Sequence, residues 1–274
     1  MKKSLPASDF SFDPDELPSE ANVLLQTTVV DLADVRPSDV FQVHRKGHFV
    51  FSVGGACTCH TPQAVFTMLP NRGVWIPGGV PHKVFHTQGA ISGYLFLAPE
   101  TYDMQTRCCA LEVKPYVLSV LEHLAESDPY AYYSDRQMRL LSVVLDEIRN
   151  QKRESLITIS VPKDSRLRDI FYRILNDPAQ SPSLNECAAS LHMSARTFAR
   201  LLQRCTGENF CQWVARIQVF SAGNALAGDL PISWIAHEHG YASPSAFSSM
   251  FKKQTGMTPQ EYRKLCKVSR DHLW

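Results

Sequence analysis

Between about residues 23 and 96 the apolar positions come in short runs rich in aromatic and β-branched side chains, at 40–44, 48–53, 73–77 and 92–97. Gly54-Gly55, Pro70-Asn71 and Gly78-Gly79 punctuate them as turns. Several strands at such spacing predict a small sandwich or barrel. From about Val113 the period becomes helical. Met138, Leu141, Leu145 and Ile148 fall on one face with Leu140 and Val144 beside it, while Arg139, Asp146, Glu147 and Arg149 face outward. Helices are therefore expected near 113–126 and 135–151. A polar segment ending in Val161-Pro162-Lys163-Asp164 reads as a linker, and the chain beyond about Ser165 reads as helical.

The helical half repeats itself. A shift of 49 residues superimposes Ser194 on Ser243, Phe198 on Phe247, Leu202 on Phe251, Arg204 on Lys253, Thr206-Gly207 on Thr255-Gly256, and Trp213 on Tyr262. Upstream the offset is 48, placing Leu184 on Ile232, Ala188 on Ala236 and His192 on Gly240. Each unit has the grammar of a helix-turn-helix. A small residue (Ala188, Ala236) sits where a second helix must pass close, and a residue tolerant of positive φ (His192, Gly240) makes the turn. An N-cap serine follows, Ser194 or Ser243, with Pro244 at the first helical position of the second copy. The second helix then carries an apolar stripe, Phe198-Leu201-Leu202 or Phe247-Met250-Phe251. A plain helical repeat without a ligand is the alternative.

These residues carry a resemblance. The stretch from Leu184 to Arg263 resembles the DNA-binding domain of the AraC/XylS family of bacterial transcription regulators. The matching motifs include Ser194-Ala195-Arg196-Thr197-Phe198-Ala199-Arg200, Ile235-Ala236-His237-Glu238-His239-Gly240-Tyr241 and Thr255-Gly256-Met257-Thr258-Pro259-Gln260-Glu261-Tyr262-Arg263. His192 replaces a usual turn glycine, and Gln218 stands where the family often has arginine. The resemblance implies two helix-turn-helix units joined by a long helix from about 211 to 227, with their second helices in major grooves about one turn, roughly 34 Å, apart. By position it assigns DNA contact to Ser194, Arg196, Thr197, Ala199 and Arg200, and in the second unit to Ser243, Ser245, Ala246, Ser248 and Ser249. Only the first set holds groups capable of bidentate contact to guanine; the arginines could equally bind phosphate or remain solvated.

Charge adds to this picture. The 274 residues carry a net +1, but residues 1–162 hold 14 Lys and Arg against 18 Asp and Glu, and residues 163–274 hold 14 against 9. The basic half is the one expected to meet a polyanion. With 44% hydrophobic and 20% charged residues the chain is neither disordered nor collagen-like. Its length suggests two domains. No run approaches the ~18 to 20 apolar residues of a membrane helix. The acidic residues after Lys2 and Lys3 exclude a secretory signal and suggest a mobile acidic tail over 1–20. Eight scattered cysteines without a zinc-type pair read as reduced thiols of a cytoplasmic protein.

Gly73-Val74-Trp75-Ile76-Pro77-Gly78-Gly79-Val80-Pro81-His82 is similar to the second cupin motif, in which a Pro-x-Gly turn delivers a histidine into the barrel. Metal-binding cupins add two histidines and an acid from an upstream motif. Here His44 and His48 are wrongly spaced, Lys46 occupies the second-histidine place, and no acid follows, so no metal and no cofactor is expected. The effector pocket is assigned to His44, Phe49, Phe51, Trp75, His82 and Tyr94, though aromatic strand residues also serve simply as core.

The fold class expected is α+β: a cupin-like β-barrel followed by helices, then an all-α domain with two helix-turn-helix units. The boundaries are 1–20 for the tail, 21–155 for the effector and dimerisation domain, 156–164 for the linker and 165–274 for the DNA-binding domain. The apolar face of 135–151 packs on its own barrel or forms a homodimer interface, and the resemblance favours the dimer. Expected partners are double-stranded DNA, a small-molecule effector and, for an activator, RNA polymerase; no membrane is expected. The function expected is a sequence-specific regulator, an effector-responsive activator and not an enzyme. Its rivals are a metal-dependent cupin enzyme fused to a DNA-binding module and an interaction module without effector.

Overall fold

The apolar run at 48–53 forms the centre of an antiparallel sheet. The structure is a computed structural model that describes residues 13–17, 21–27, 41–86, 90–99, 102–128, 130–150 and 158–268. Its first strands are β1 (Ala21–Thr27), β2 (Gly47–Gly54), β3 (Cys57–His60) and β4 (Ala64–Met68), then β5 (Arg72–Ile76), β6 (Lys83–His86), β7 (Ile91–Leu97) and β8 (Cys109–Glu112). Five of them form a sheet in the order β1-β7-β2-β5-β8, and β3 pairs with β6 in a second sheet, Cys57 opposite His86. Among the described residues the strands stay divided between sheets and do not close into one barrel. The predicted turns hold: Gly55, Asn71 and Gly79 all have positive φ. The expected strand at 40–44 does not form in its described part, where only Gln42 bridges to His82.

β2 sits between β7 and β5, and all eight of its residues are buried. Successive side chains point to opposite faces. Register therefore sorts the residues: Phe49 lies opposite Trp75 and Leu95, whereas His48 lies opposite Ile76 and Phe96. The Phe49 face carries the core. Phe49, Phe51, Trp75, Leu95, Leu97 and Leu111 pack in one cluster with Val117, Leu121 and Leu124 of α1 (Pro115–Leu124) and Leu141, Val144, Leu145 and Ile148 of α2 (Asp135–Asn150). The two helices start and stop within two residues of expectation.

Of the two roles expected for the apolar face of α2, the structure shows the packing on its own unit. Leu141 and Leu145 are 0% and 3% exposed within a single chain, because α1 and the sheet already cover them. Of the face read from the sequence, Met138 is exposed, as is Val143 beside it on α2. Within the segment expected to be a mobile acidic tail, 13–17 is a short 3-10 turn tied down by charge. The Asp15 carboxylate accepts from the backbone N–H of Arg45 at 2.7 Å and of Lys46 at 2.9 Å, and the Lys46 ammonium donates to the Leu17 carbonyl at 2.8 Å. The rest of that segment lies outside the described residues.

By internal contacts the chain divides into two compact units, Met1–Thr61, Phe66–Leu156 and Leu265–Trp274 in one, Pro62–Val65 and Ile157–Lys264 in the other. The longer segment of the second unit has a strand, β9 (Thr158–Ser160), inside the expected linker; residues 156 and 157 of that linker lie outside the described residues. Helices follow: α3 (Ser165–Asn176), α4 (Leu184–Ser190), α5 (Ala195–Thr206), α6 (Phe210–Leu226), α7 (Ile232–Glu238), α8 (Pro244–Thr255) and α9 (Pro259–Val268). No helix among the described residues is long and apolar enough to cross a membrane.

The sequence repeat becomes two helix pairs, α4–α5 and α7–α8. His192 turns between the first pair at φ 54° and Gly240 between the second at φ 79°. Ser194 caps α5 by accepting from the Thr197 N–H, and Ser243 caps α8 by accepting from the Ala246 N–H, each at 3.2 Å. Both helices end at a left-handed glycine, Gly207 or Gly256. Ala188 and Ala236 are buried, as the close approach requires. Between the pairs runs α6, whose Trp213, Ile217 and Phe220 join Phe198 and Leu202 in one core. On the other side the Phe247 and Phe251 rings pack tilted and Tyr262 meets Phe251 in a T-shape, with centroids 5.7 and 5.3 Å apart. Gln218, in place of a usual arginine, is a structural bridge. Its amide donates to the Pro178 carbonyl at 3.1 Å and its oxygen accepts from the Tyr241 hydroxyl at 3.2 Å.

Because Leu141 is core, Leu141→Ala should destabilise the chain by about 2–5 kcal/mol in denaturant unfolding, while the sedimentation coefficient of the folded fraction stays that of the wild type. Unfolding at the wild-type midpoint would return this face to the surface.

Candidate nucleic-acid interface and histidine cluster

α5 buries Phe198, Leu201 and Leu202 and turns Arg196, Thr197 and Arg200 to solvent, with Ala199 half-buried. The spacing of 196 and 200 puts both guanidiniums on one exposed face. Neither makes an ion pair or hydrogen bond among the described residues, so ten N–H donors point outward uncommitted. α8 buries Phe247 and Phe251 and exposes Ser245, Ala246 and Ser249, with Ser248 half-buried. Ser194 and Ser243 are placed differently from the rest. Their hydroxyl oxygens serve as caps, and the Ser194 hydroxyl also pairs with that of Thr197 at 2.8 Å. The first helix thus offers long charged donors and the second short hydroxyls.

The six residues assigned to an effector pocket separate by sheet face. Phe49, Phe51 and Trp75 lie in the core beneath α1 and α2; Phe49 and Phe51 stack at 5.7 Å, and the Trp75 indole donates to the Gln105 carbonyl at 2.7 Å. They do not share a site with the others, because odd positions of β2 face away from even ones. His44, His82 and Tyr94 do come together on the opposite face, joined by His48, His86 and Phe96. Period-two alternation was the signal for this: His48 pairs with Phe96, and Val50 with Tyr94.

The cluster is built by backbone pairing. Gln42 and His82 exchange backbone hydrogen bonds at 2.9 and 3.0 Å, and the Gly79 N–H donates to the His44 carbonyl at 2.8 Å. The turn at 77–80 lies so close to the segment before β2 that a Cβ on Gly78 would collide with the Arg45 carbonyl oxygen. The segments carrying His44 and His82 are thereby held side by side, and β2 brings in His48. Ring centroids are 4.8 Å apart for His44 and His48, 4.6 Å for His48 and His82, and 5.0 Å for His44 and His82. Nδ1 of His44 donates to the Lys46 carbonyl at 2.6 Å, and Nδ1 of His82 to the Val80 carbonyl at 2.8 Å. A carbonyl only accepts, so these contacts place the proton on Nδ1 and leave the Nε2 lone pair of each ring uncommitted. Burial lowers the pKa of all three, that of His82 to about 4, so the rings are neutral near pH 7. Behind them the Tyr94 hydroxyl and His86 Nε2 are 2.8 Å apart.

A helix-turn-helix domain family matches residues 187–265, the segment from α4 into α9. The chain is 33% identical over 219 residues to the HTH-type transcriptional regulator NimR of Escherichia coli, covering 80% of each protein. It is 35% identical over 222 residues to an AraC-like transcription regulator of Streptomyces antibioticus, covering 80% of this chain and 65% of that one. A crystal structure of the AdpA DNA-binding domain in complex with a target DNA matches 39% of this chain and 97% of that chain at 28% identity, with a TM-score of 0.36.

The buried histidines set a pH dependence. His86 is pushed down to about 4 by burial, and His60 to about 4 by burial and then by the nearby Lys83. In the unfolded chain both take up a proton near pH 6.5, whereas the folded chain resists it until about 4. Stability should be fully present above pH 6.5 and decline as pH falls from there toward 4. Thermal melts across pH 7.5 to 4.5 check this, and His86→Gln should flatten the decline.

Proposed function

The chain belongs to the AraC/XylS family of HTH-type transcription regulators, and from that premise we propose that α4–α5 and α7–α8 are two DNA-reading helix-turn-helix units governed by an N-terminal, cupin-like effector unit. That the protein is a DNA-binding transcription regulator and not an enzyme follows from its relatives. The single observation carrying the finer reading is the exposed, uncommitted pair Arg196 and Arg200 on α5, matched in position by Ser245 and Ser249 on α8. α5 reads sequence, because a guanidinium reaches the O6 and N7 edge of guanine with two donors. α8 anchors, because serine hydroxyls reach phosphates or nearby edges and discriminate weakly. The caps at Ser194 and Ser243 place the first backbone N–H groups of both helices where a phosphate can be met.

The effector is a small ligand of the His44, His82 and Tyr94 face, and Phe49, Phe51 and Trp75 support that face from behind as core. Effector binding acts by favouring one state of the chain over another, since equal affinity for both shifts nothing. The family resemblance supports activation in the cytoplasm, with RNA polymerase as the further partner. A homodimer, where it forms, uses a surface other than the buried face of α2.

Selection on randomised DNA with full-length protein tests the division of labour. Arg200→Ala should lose about 1–3 kcal/mol and relax preference at one base pair. Ser249→Ala should weaken all sequences by a smaller, nearly uniform amount. Affinity should fall steeply with salt through phosphate neutralisation. Sharp preference confined to the half-site of α8 and untouched by Arg200→Ala would reverse the assignment.

A further inference from the structure

We propose that His44, His48 and His82 form a site for one divalent transition-metal ion of the kind imidazole favours, such as zinc or cobalt, held by three ring nitrogens. This deepens the effector reading by naming the chemistry of what the N-terminal unit holds, and it rests on that reading only for its link to DNA. One ligand atom from each ring lies within 4.8 Å of the other two. Two nitrogens on a tetrahedral zinc, each about 2.0–2.1 Å from the ion, are about 3.4 Å apart, so modest side-chain rotation closes the site around an ion.

Three further observations converge on the same place. His44 and His82 each donate Nδ1–H to a backbone carbonyl, of Lys46 and Val80. A metal-bound imidazole makes this same outer contact, which fixes the ring and aims the opposite nitrogen inward. His48 is only 2% exposed, and its Nδ1 has no partner among the described residues. A buried ring nitrogen left unmatched is costly unless something satisfies it. The local charge also suits a cation. The carboxylates of Asp13 and Asp15 act on His44, while the neighbouring Lys46 ammonium is turned away onto the Leu17 carbonyl. Neutral imidazoles without a thiolate select zinc, nickel, cobalt, copper or iron over magnesium or calcium. Three protein ligands leave a coordination position open for water or an oxygen donor.

Linear spacing alone does not predict this site, because Lys46 stands at the position a second histidine takes in metal-binding cupins. The structure supplies the second ligand from His48 instead, at the second position of β2.

The test uses tag-free full-length protein, stripped with chelator, dialysed and titrated with Co²⁺ by visible absorption. The expected result is a d–d band saturating at one ion per chain and displaced by Zn²⁺. His82→Gln and His48→Gln, each checked for folding by circular dichroism, should weaken Co²⁺ at least about 10-fold, and His123→Gln, an exposed histidine outside the cluster, should bind as wild type. Absence of a saturable band in the wild type, or a band undiminished in both folded cluster variants, overturns the site. The wild-type titration and Zn²⁺ displacement do not depend on either variant folding. Anisotropy on selected DNA, with and without Zn²⁺, separates the two levels. An ion that binds and shifts DNA affinity supports both; normal DNA binding with no ion bound removes the site and leaves the regulator standing.

Discussion

The alternation of side chains along β2 is the constraint on which the N-terminal unit depends. A strand buried on both faces must serve two interiors with one sequence, and it does so through parity alone. Phe49 and Phe51 fill the layer beneath α1 and α2; His48 is delivered to the other face. A slip of one residue in the pairing with β5 and β7 would put an imidazole into the apolar layer and phenylalanines among the histidines. Core and site therefore protect the same register, and neither can drift without cost to the other. The helices share in this. By covering the Phe49 face, α1 and α2 bury their own stripe, so Leu141, Val144, Leu145 and Ile148 of α2 are spent within its own unit.

The second unit is organised by a different economy. α6 has apolar residues nearly all round because it is packed by both helix pairs, with Trp213, Ile217 and Phe220 toward α4–α5 and the Phe247, Phe251 and Tyr262 rings belonging to α7–α8 and α9. Gln218 and Tyr241 tie α6 to the turn of the second pair through side-chain hydrogen bonds. With both second helices capped at one end by serine and closed at the other by a left-handed glycine, their outer faces are free of structural duty. Arg196 and Arg200 are available for a ligand because the fold asks nothing of them.

The contrast between a committed interior and uncommitted surface groups links structure to function in both units. On α5 the free groups are cationic donors, suited to the guanine edge and phosphate of DNA. On the inner face beyond β2 the free groups are imidazole lone pairs, neutral and oriented by backbone carbonyls. The two kinds of group reside in separate compact units.

The sequence by itself determined the helical half almost completely. Capping serines, the positive-φ residues His192 and Gly240, and apolar spacing of three and four all act within a dozen residues, so the information for each element is local to it. It also determined the presence of strands, the turns at Gly55, Asn71 and Gly79, and the bounds of α1 and α2. Tertiary structure alone decided which aromatic residues were core and which faced the histidines, because that follows from pairing β2 with strands some 25 to 45 residues further along. It decided as well that α2 was covered, and that His44, His48 and His82 met despite unpromising linear spacing. Side chains from different strands converge by register and loop pairing, such as Gln42 with His82, and no local pattern encodes a distance set by the whole sheet.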